Sequence, residues 1–138
     1  MTKIYKALGL TLILAMASLA ADFVVIVNPA NTATSISNAE LKRLYTGKMA
    51  QFGGQKAVPI NLADSDPLFS SFVSTVTKMS GPEYKQFWVD AQIKGEGTAP
   101  MVQRNAAAAK MIVATIPGAI AYVDASVVDA TVKKIDLK

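Results

Sequence analysis

Phe23-Val24-Val25-Ile26-Val27, closed by Asn28-Pro29, is the stretch that decides the fold. It is a nearly unbroken apolar run rich in β-branched residues, and such a run is the mark of a strand buried on both faces. A strand of that kind belongs in the middle of a sheet covered by helices. Working forward, Ala30 to Ile36 reads as a loop of small and polar residues. Ser37-Asn38-Ala39-Glu40 then has the form of a capping box, with Ser37 as the cap and Glu40 reaching back to the cap amide. A short helix is predicted over Asn38 to Tyr45, with Leu41, Leu44 and Tyr45 on one apolar face and Gly47 supplying the left-handed residue beyond its end.

Gly53-Gly54-Gln55 reads as a turn, and Lys56 to Leu62 as a second strand with Pro59 near its start. Ala63-Asp64-Ser65-Asp66-Pro67 is a loop that runs into a helix, with Pro67 in the first turn. Leu68, Phe69, Phe72, Val73 and Val76 recur at helical spacing, and this helix is expected to end near Ser80-Gly81. A third helix starts at Pro82-Glu83 and carries Tyr84, Phe87, Trp88 and Ala91 on one face, with Trp88 read as a core residue. Gly95 to Pro100 is a loop, and the alanine-rich stretch Met101 to Thr115 is predicted as one helix. Its small residues Ala106 to Ala109 admit a close neighbour. After the turn Ile116-Pro117-Gly118, Ala119 to Val123 reads as a strand, Asp124 to Ala130 as a connection, and Thr131 to Leu137 as a last strand. Strands separated by helices predict an α/β fold with a largely parallel sheet.

Working backward from Phe23, Lys3 and Lys6 precede an apolar run from Ala7 to Leu19, followed by Ala20, Ala21 and Asp22. These are the three regions of a cleavable signal peptide in order. Residues 1–20 are expected to be removed, or 1–21 if the cut falls one residue later, leaving a single domain over 21–138 that works in the periplasm. The run is shorter than the ~20 apolar residues that cross a bilayer, so no membrane insertion is expected after cleavage.

Composition narrows the chemistry. The 138 residues contain no cysteine and no histidine. A cysteine nucleophile, a Ser-His or Cys-His pair and a His-based metal site are therefore excluded, which argues against an enzyme. Two of the 14 basic residues leave with the leader, so 12 face 10 acidic ones. The basic residues are scattered and not interleaved with aromatics, so nucleic acid is not an expected partner. Neither the dinucleotide fingerprint nor the Walker pattern occurs, and no cofactor is expected.

Ligands of open α/β sheets sit beyond the C-terminal ends of strands, where loops meet helix starts. Two places qualify. At Ala63 to Leu68 the amides of Leu68 and Phe69 and the Ser65 hydroxyl are candidates to meet an anion, while Asp64 and Asp66 either repel it or serve as caps. At Gly95 to Met101 the glycines allow close approach, and Thr98 is a candidate cap or ligand donor. The candidate binding residues are Ser65, Asp66, Leu68, Phe69 and Thr98.

The order of segments then becomes recognisable. Ser35-Ile36-Ser37-Asn38-Ala39-Glu40-Leu41-Lys42-Arg43-Leu44-Tyr45-Thr46-Gly47-Lys48, Phe52-Gly53-Gly54, Val58-Pro59-Ile60, the Phe72 helix, Phe87-Trp88 and Pro117-Gly118-Ala119-Ile120-Ala121-Tyr122-Val123 together resemble the phosphate ABC transporter substrate-binding family, PstS-like. The resemblance runs over nearly the whole chain from Phe23. It implies a single periplasmic-binding-protein-like lobe with a mostly parallel sheet covered by helices, a small oxyanion such as phosphate as ligand, and a membrane transporter as partner. Full members of the family have two lobes and more than twice this length, so the likeness is to short, single-domain relatives. The family's phosphate loop, an arginine followed by Asp-Gly-Ser-Gly-Thr, falls on Leu62-Ala63-Asp64-Ser65-Asp66-Pro67-Leu68, where neither the arginine nor Ser-Gly-Thr is present. The alternative is a protein-interaction module, an accessory to a periplasmic sensor or transporter.

Overall fold

The computed structural model describes residues 22–138. The expected leader and its cleavage site lie outside the described residues. Strand β1 (Val24–Val27) is interior to a six-stranded sheet, and its last three residues are buried. The other five strands are β2 (Ser35–Ile36), β5 (Val58–Leu62), β6 (Met101–Gln103), β7 (Ala119–Val123) and β8 (Lys133–Leu137), arranged in the order β2-β8-β1-β7-β5-β6. Parallel pairings predominate: β2 with β8, β5 with β7 and β5 with β6. β1 alone runs against both of its neighbours, β7 and β8. A separate two-stranded hairpin, β3 (Gln51–Phe52) and β4 (Gln55–Lys56), turns through Gly53-Gly54.

Helix α1 (Asn38–Tyr45) has the limits the sequence predicts. The Ser37 hydroxyl accepts from the Glu40 amide at 3.1 Å, and the Glu40 carboxylate accepts from the Ser37 amide at 3.4 Å. Helix α2 (Pro67–Thr77) stops short of the expected Ser80-Gly81, because Lys78 adopts a left-handed φ of 62°. Ser80 instead caps α3 (Gly81–Ile93), accepting from the Glu83 amide. α2 packs across β5 and β7 with α1 and α3 beside it. α4 (Ala106–Thr115) covers the other face, where buried Ala109 allows close approach to β7 and its Ala119 and Ala121. Among the described residues no helix is long and apolar enough to cross a membrane.

The predicted helix over Met101 to Thr115 is the main correction. Its first three residues are strand β6, paired in parallel with β5 through Ile60–Met101 and Leu62–Gln103. The helix begins only at Ala106, where the Asn105 side chain accepts from the Ala108 amide at 2.9 Å. Pro100 favours an extended residue before it, Val102 is β-branched, and Asn105 is a strong cap. These three outweigh the alanine content once β5 offers a ladder.

An aromatic cluster joins the helices to the sheet. Phe72 of α2 stacks on Tyr122 of β7 with centroids 3.8 Å apart and planes 6° from parallel, and Tyr45 meets Phe72 edge-on at 4.7 Å. The hydroxyls of Tyr45, Tyr84 and Tyr122 are all bonded. Tyr45 donates toward the carbonyls of Ile60 and Ile120, Tyr84 donates to the Tyr45 carbonyl, and Tyr122 donates to the Asn61 side chain. Burial raises the pKa of Tyr45, Tyr84 and Tyr122, because a phenolate there would lose its water. The folded state thus holds these protons more tightly than the unfolded chain does. Their contribution to stability is whole below about pH 10 and is lost as pH rises above it. An ultraviolet titration of residues 21–138, which leave out Tyr5, is expected to show tyrosinate appearing only together with loss of near-ultraviolet circular dichroism. Tyrosinate forming near pH 10 with the dichroism intact would contradict this packing.

Candidate functional site

In the loop after β5 the sequence leaves two roles open for the start of α2, amides that meet a ligand or amides capped by an aspartate. Pro67 at the first turn has no N–H, so Leu68 and Phe69 supply the first donors of α2. Both are taken. The Leu68 amide donates to the Asp66 carboxylate at 2.9 Å, and the Phe69 amide donates to the Asp66 carbonyl at 3.0 Å. The Asp66 amide in turn donates to the Ala63 carbonyl. Asp66 thus places a carboxylate over the positive end of the helix, where an external anion would otherwise sit.

Asp64 leans the other way, toward Lys85 on α3, with 2.5 Å between carboxylate and ammonium. The hydrogen bond from Lys85, and then its charge, hold the exposed Asp64 carboxyl below its usual range. Lys85, which shares a hollow with Phe69 at the start of α2, is therefore already matched. Ser65 is exposed beside this pair. Thr98 is exposed in the loop before β6, and because a strand follows it, Thr98 caps no helix. Of the five residues predicted to bind, Ser65, Asp66, Leu68 and Phe69 are brought together, and Thr98 stands apart in sequence and role.

The open hollow lies next to these residues rather than at them. A groove of about 370 Å³ runs between α3 and the outer part of the sheet. Leu62 and Ala63 line its floor, Tyr84, Trp88 and Val89 its helical side, and Val102 of the edge strand β6 the side opposite. Asp64 and Lys85 stand at one end, Ala99 and Pro100 at the other, and Phe69 is the one predicted residue that lines it. A second hollow of about 530 Å³, above the first turns of α2 and α3, shares Asp64, Phe69, Lys85 and Val89 with it.

Asn61 is the polar residue beneath the groove, and the sequence reading passed it over. Its amide nitrogen donates to the Tyr84 hydroxyl and its oxygen accepts from Tyr122, each at 3.0 Å. The Tyr122 hydroxyl also accepts from the Leu62 amide. The floor is therefore pinned by a closed set of hydrogen bonds, and it presents chiefly carbon to the opening. Among the described residues no three His, Cys, Asp or Glu side chains gather as a metal site.

No protein-family model and no curated protein sequence matches the chain. Solved structures do. An ABC-type phosphate transport receptor from Vibrio cholerae superposes with a TM-score of 0.67 at 19% identity, over 83% of this chain and 45% of that one. A putative phosphate ABC transporter substrate-binding protein with bound phosphate from Clostridium perfringens gives 0.67 at 18%, over 83% and 44%. PstS from Borrelia burgdorferi gives 0.65 at 16%, over 84% and 47%. The likeness is one of fold, and the chain spans less than half the length of these proteins.

Proposed function

We propose that this chain, a lobe with the fold of phosphate-transport binding proteins, works in the periplasm as a noncatalytic accessory that engages a membrane transporter or sensor through protein contacts. The observation that carries this reading is the occupied start of α2: the Leu68 and Phe69 amides are both satisfied by Asp66. A desolvated oxyanion needs several donors and is best served by an arginine. Here it would meet a carboxylate, and Lys85, the neighbouring cation, is paired with Asp64. The groove beside that loop is walled mainly by apolar side chains, as a surface that receives protein would be.

Capture of phosphate or another small oxyanion is the second reading. It is supported by the fold shared with a protein described with bound phosphate. Calorimetric titration of the exported protein with phosphate, sulfate and related oxyanions separates the two. The expected result is no heat and no thermal shift at millimolar ligand, and a dissociation constant below about 1 mM for any of them would overturn the first reading.

A further inference from the structure

Strand β6 forms one edge of the six-stranded sheet, and nothing pairs with its outer side among the described residues. Along a strand, alternate residues direct their N–H and C=O groups to opposite sides. The Ala63 amide donates to the Gln103 carbonyl at 2.8 Å, so Gln103 and Met101 address β5 and the peptide groups of Val102 point outward. Neither group of Val102 has a hydrogen-bond partner among the described residues. The Val102 side chain, 61% exposed, lines the groove opposite Val89, which is 48% exposed. One lip of the groove is thus a helix and the other an unpaired strand edge. Extended peptides are bound in such a setting by adding a strand, with main-chain bonds giving affinity and alternate side chains entering the pocket.

We infer that the β6 edge and its groove form a docking site for an extended segment of a protein partner. The segment adds antiparallel to β6, seats a large apolar side chain opposite Val102, and carries an acidic residue two positions earlier, toward Arg104. This rests on the reading of the chain as a protein-contact module and specifies what that module takes. In the antiparallel arrangement a single partner residue exchanges both bonds with Val102. Charge complementarity supplies the acidic position: Arg104 directly follows β6, is exposed, and forms no ion pair among the described residues, whereas Lys85 is already matched. A second copy of this chain fits poorly. Two-fold pairing about Val102 would set Pro100, which lacks an N–H, opposite Arg104, so a main-chain bond would be lost on each side of the Val102 pair and Arg104 would face no acidic partner. A three-residue strand also contributes little of the roughly 1,200 Å² that a stable interface buries.

The test titrates capped peptides containing Asp-Thr-Phe-Thr-Val into the exported protein and follows the fluorescence of Trp88, the single tryptophan, which lines the groove. Saturable binding in the range of about 10–500 μM is expected. Val102→Pro, which removes the outward N–H at an edge position where proline is tolerated, is expected to weaken it at least about tenfold with the circular dichroism unchanged. Arg104→Glu is expected to weaken the Asp peptide and to favour a Lys-Thr-Phe-Thr-Val peptide, a reversal that misfolding does not produce. No saturable change up to about 1 mM, or binding indifferent to both substitutions, overturns the docking site. So does a dimer that Val102→Pro dissolves, since the second copy would then be the occupant. Failure here with no oxyanion uptake leaves the protein-contact reading intact, whereas oxyanion uptake removes that reading itself.

Discussion

Replacing Phe72 with alanine is expected to cost about 3–5 kcal/mol of unfolding free energy, a large part of the total for a domain of this size. The ring is fully buried, stacks on Tyr122, and is met edge-on by Phe23 and Tyr45. Its removal leaves a cavity bounded by three other rings that cannot all close in. The melting midpoint should fall by roughly 10–20 °C, while Phe72→Leu, which keeps most of the volume, should lose about 1.5 kcal/mol or less. Denaturant unfolding of the two variants checks this, and equal losses would mean that the aromatic stack rather than the filled volume carries the stability, against the cavity account. The effect reaches the groove as well, because Tyr122 holds both Asn61 and the Leu62 amide in its floor.

Gly118→Ala is expected to be nearly as damaging. A Cβ at this position would fall 1.8 Å from the Lys56 carbonyl oxygen, a backbone atom with no rotamer to escape into. The Val58 amide donates to the Gly118 carbonyl at 2.8 Å, so the clash sits where β5 and β7 first pair. Opening that register by even a small amount disturbs the ladder that carries the groove. A loss of about 3 kcal/mol, at the upper end for overpacking, should appear as a lower denaturation midpoint and a reduced soluble yield. An unfolding free energy within about 0.5 kcal/mol of the parent would show that the segment around Lys56 moves aside freely.

The elements whose signals are local were legible in the sequence. Ser37 and Glu40 fix the start of α1 within four residues of chain, and Pro117-Gly118 marks the start of β7. β6 was not legible, because Met101-Val102-Gln103 leads directly into an alanine-rich run and becomes a strand only through β5, some 40 positions earlier in the chain. The direction of β1 was hidden for a related reason. A buried apolar run looks the same whichever way its neighbours run, and those neighbours, β7 and β8, lie at the far end of the chain.

The site divides along the same line. That Asp66 caps α2 is legible from its place directly before Pro67, where a short acidic side chain reaches the first helix amides. The groove was not readable, since it needs Trp88 and Val89 from α3 beside Val102 from β6. Its one sequence clue was Asn61, a polar residue within Val58-Pro59-Ile60-Asn61-Leu62, where a buried amide signals a hydrogen-bonded network. Reading Met101 onward as helix also turned Thr98 into a candidate cap for a helix that begins eight residues later.

The claim on which this account turns is that α2 offers no open donors to an anion. Amide NMR of residues 21–138 during a phosphate titration addresses it at the atoms concerned. The Leu68 and Phe69 resonances are expected to stay in place through millimolar phosphate, apart from the small uniform drift that ionic strength produces. Saturable shifts of those two amides, following one binding curve, would show that phosphate displaces Asp66, and the account would be wrong.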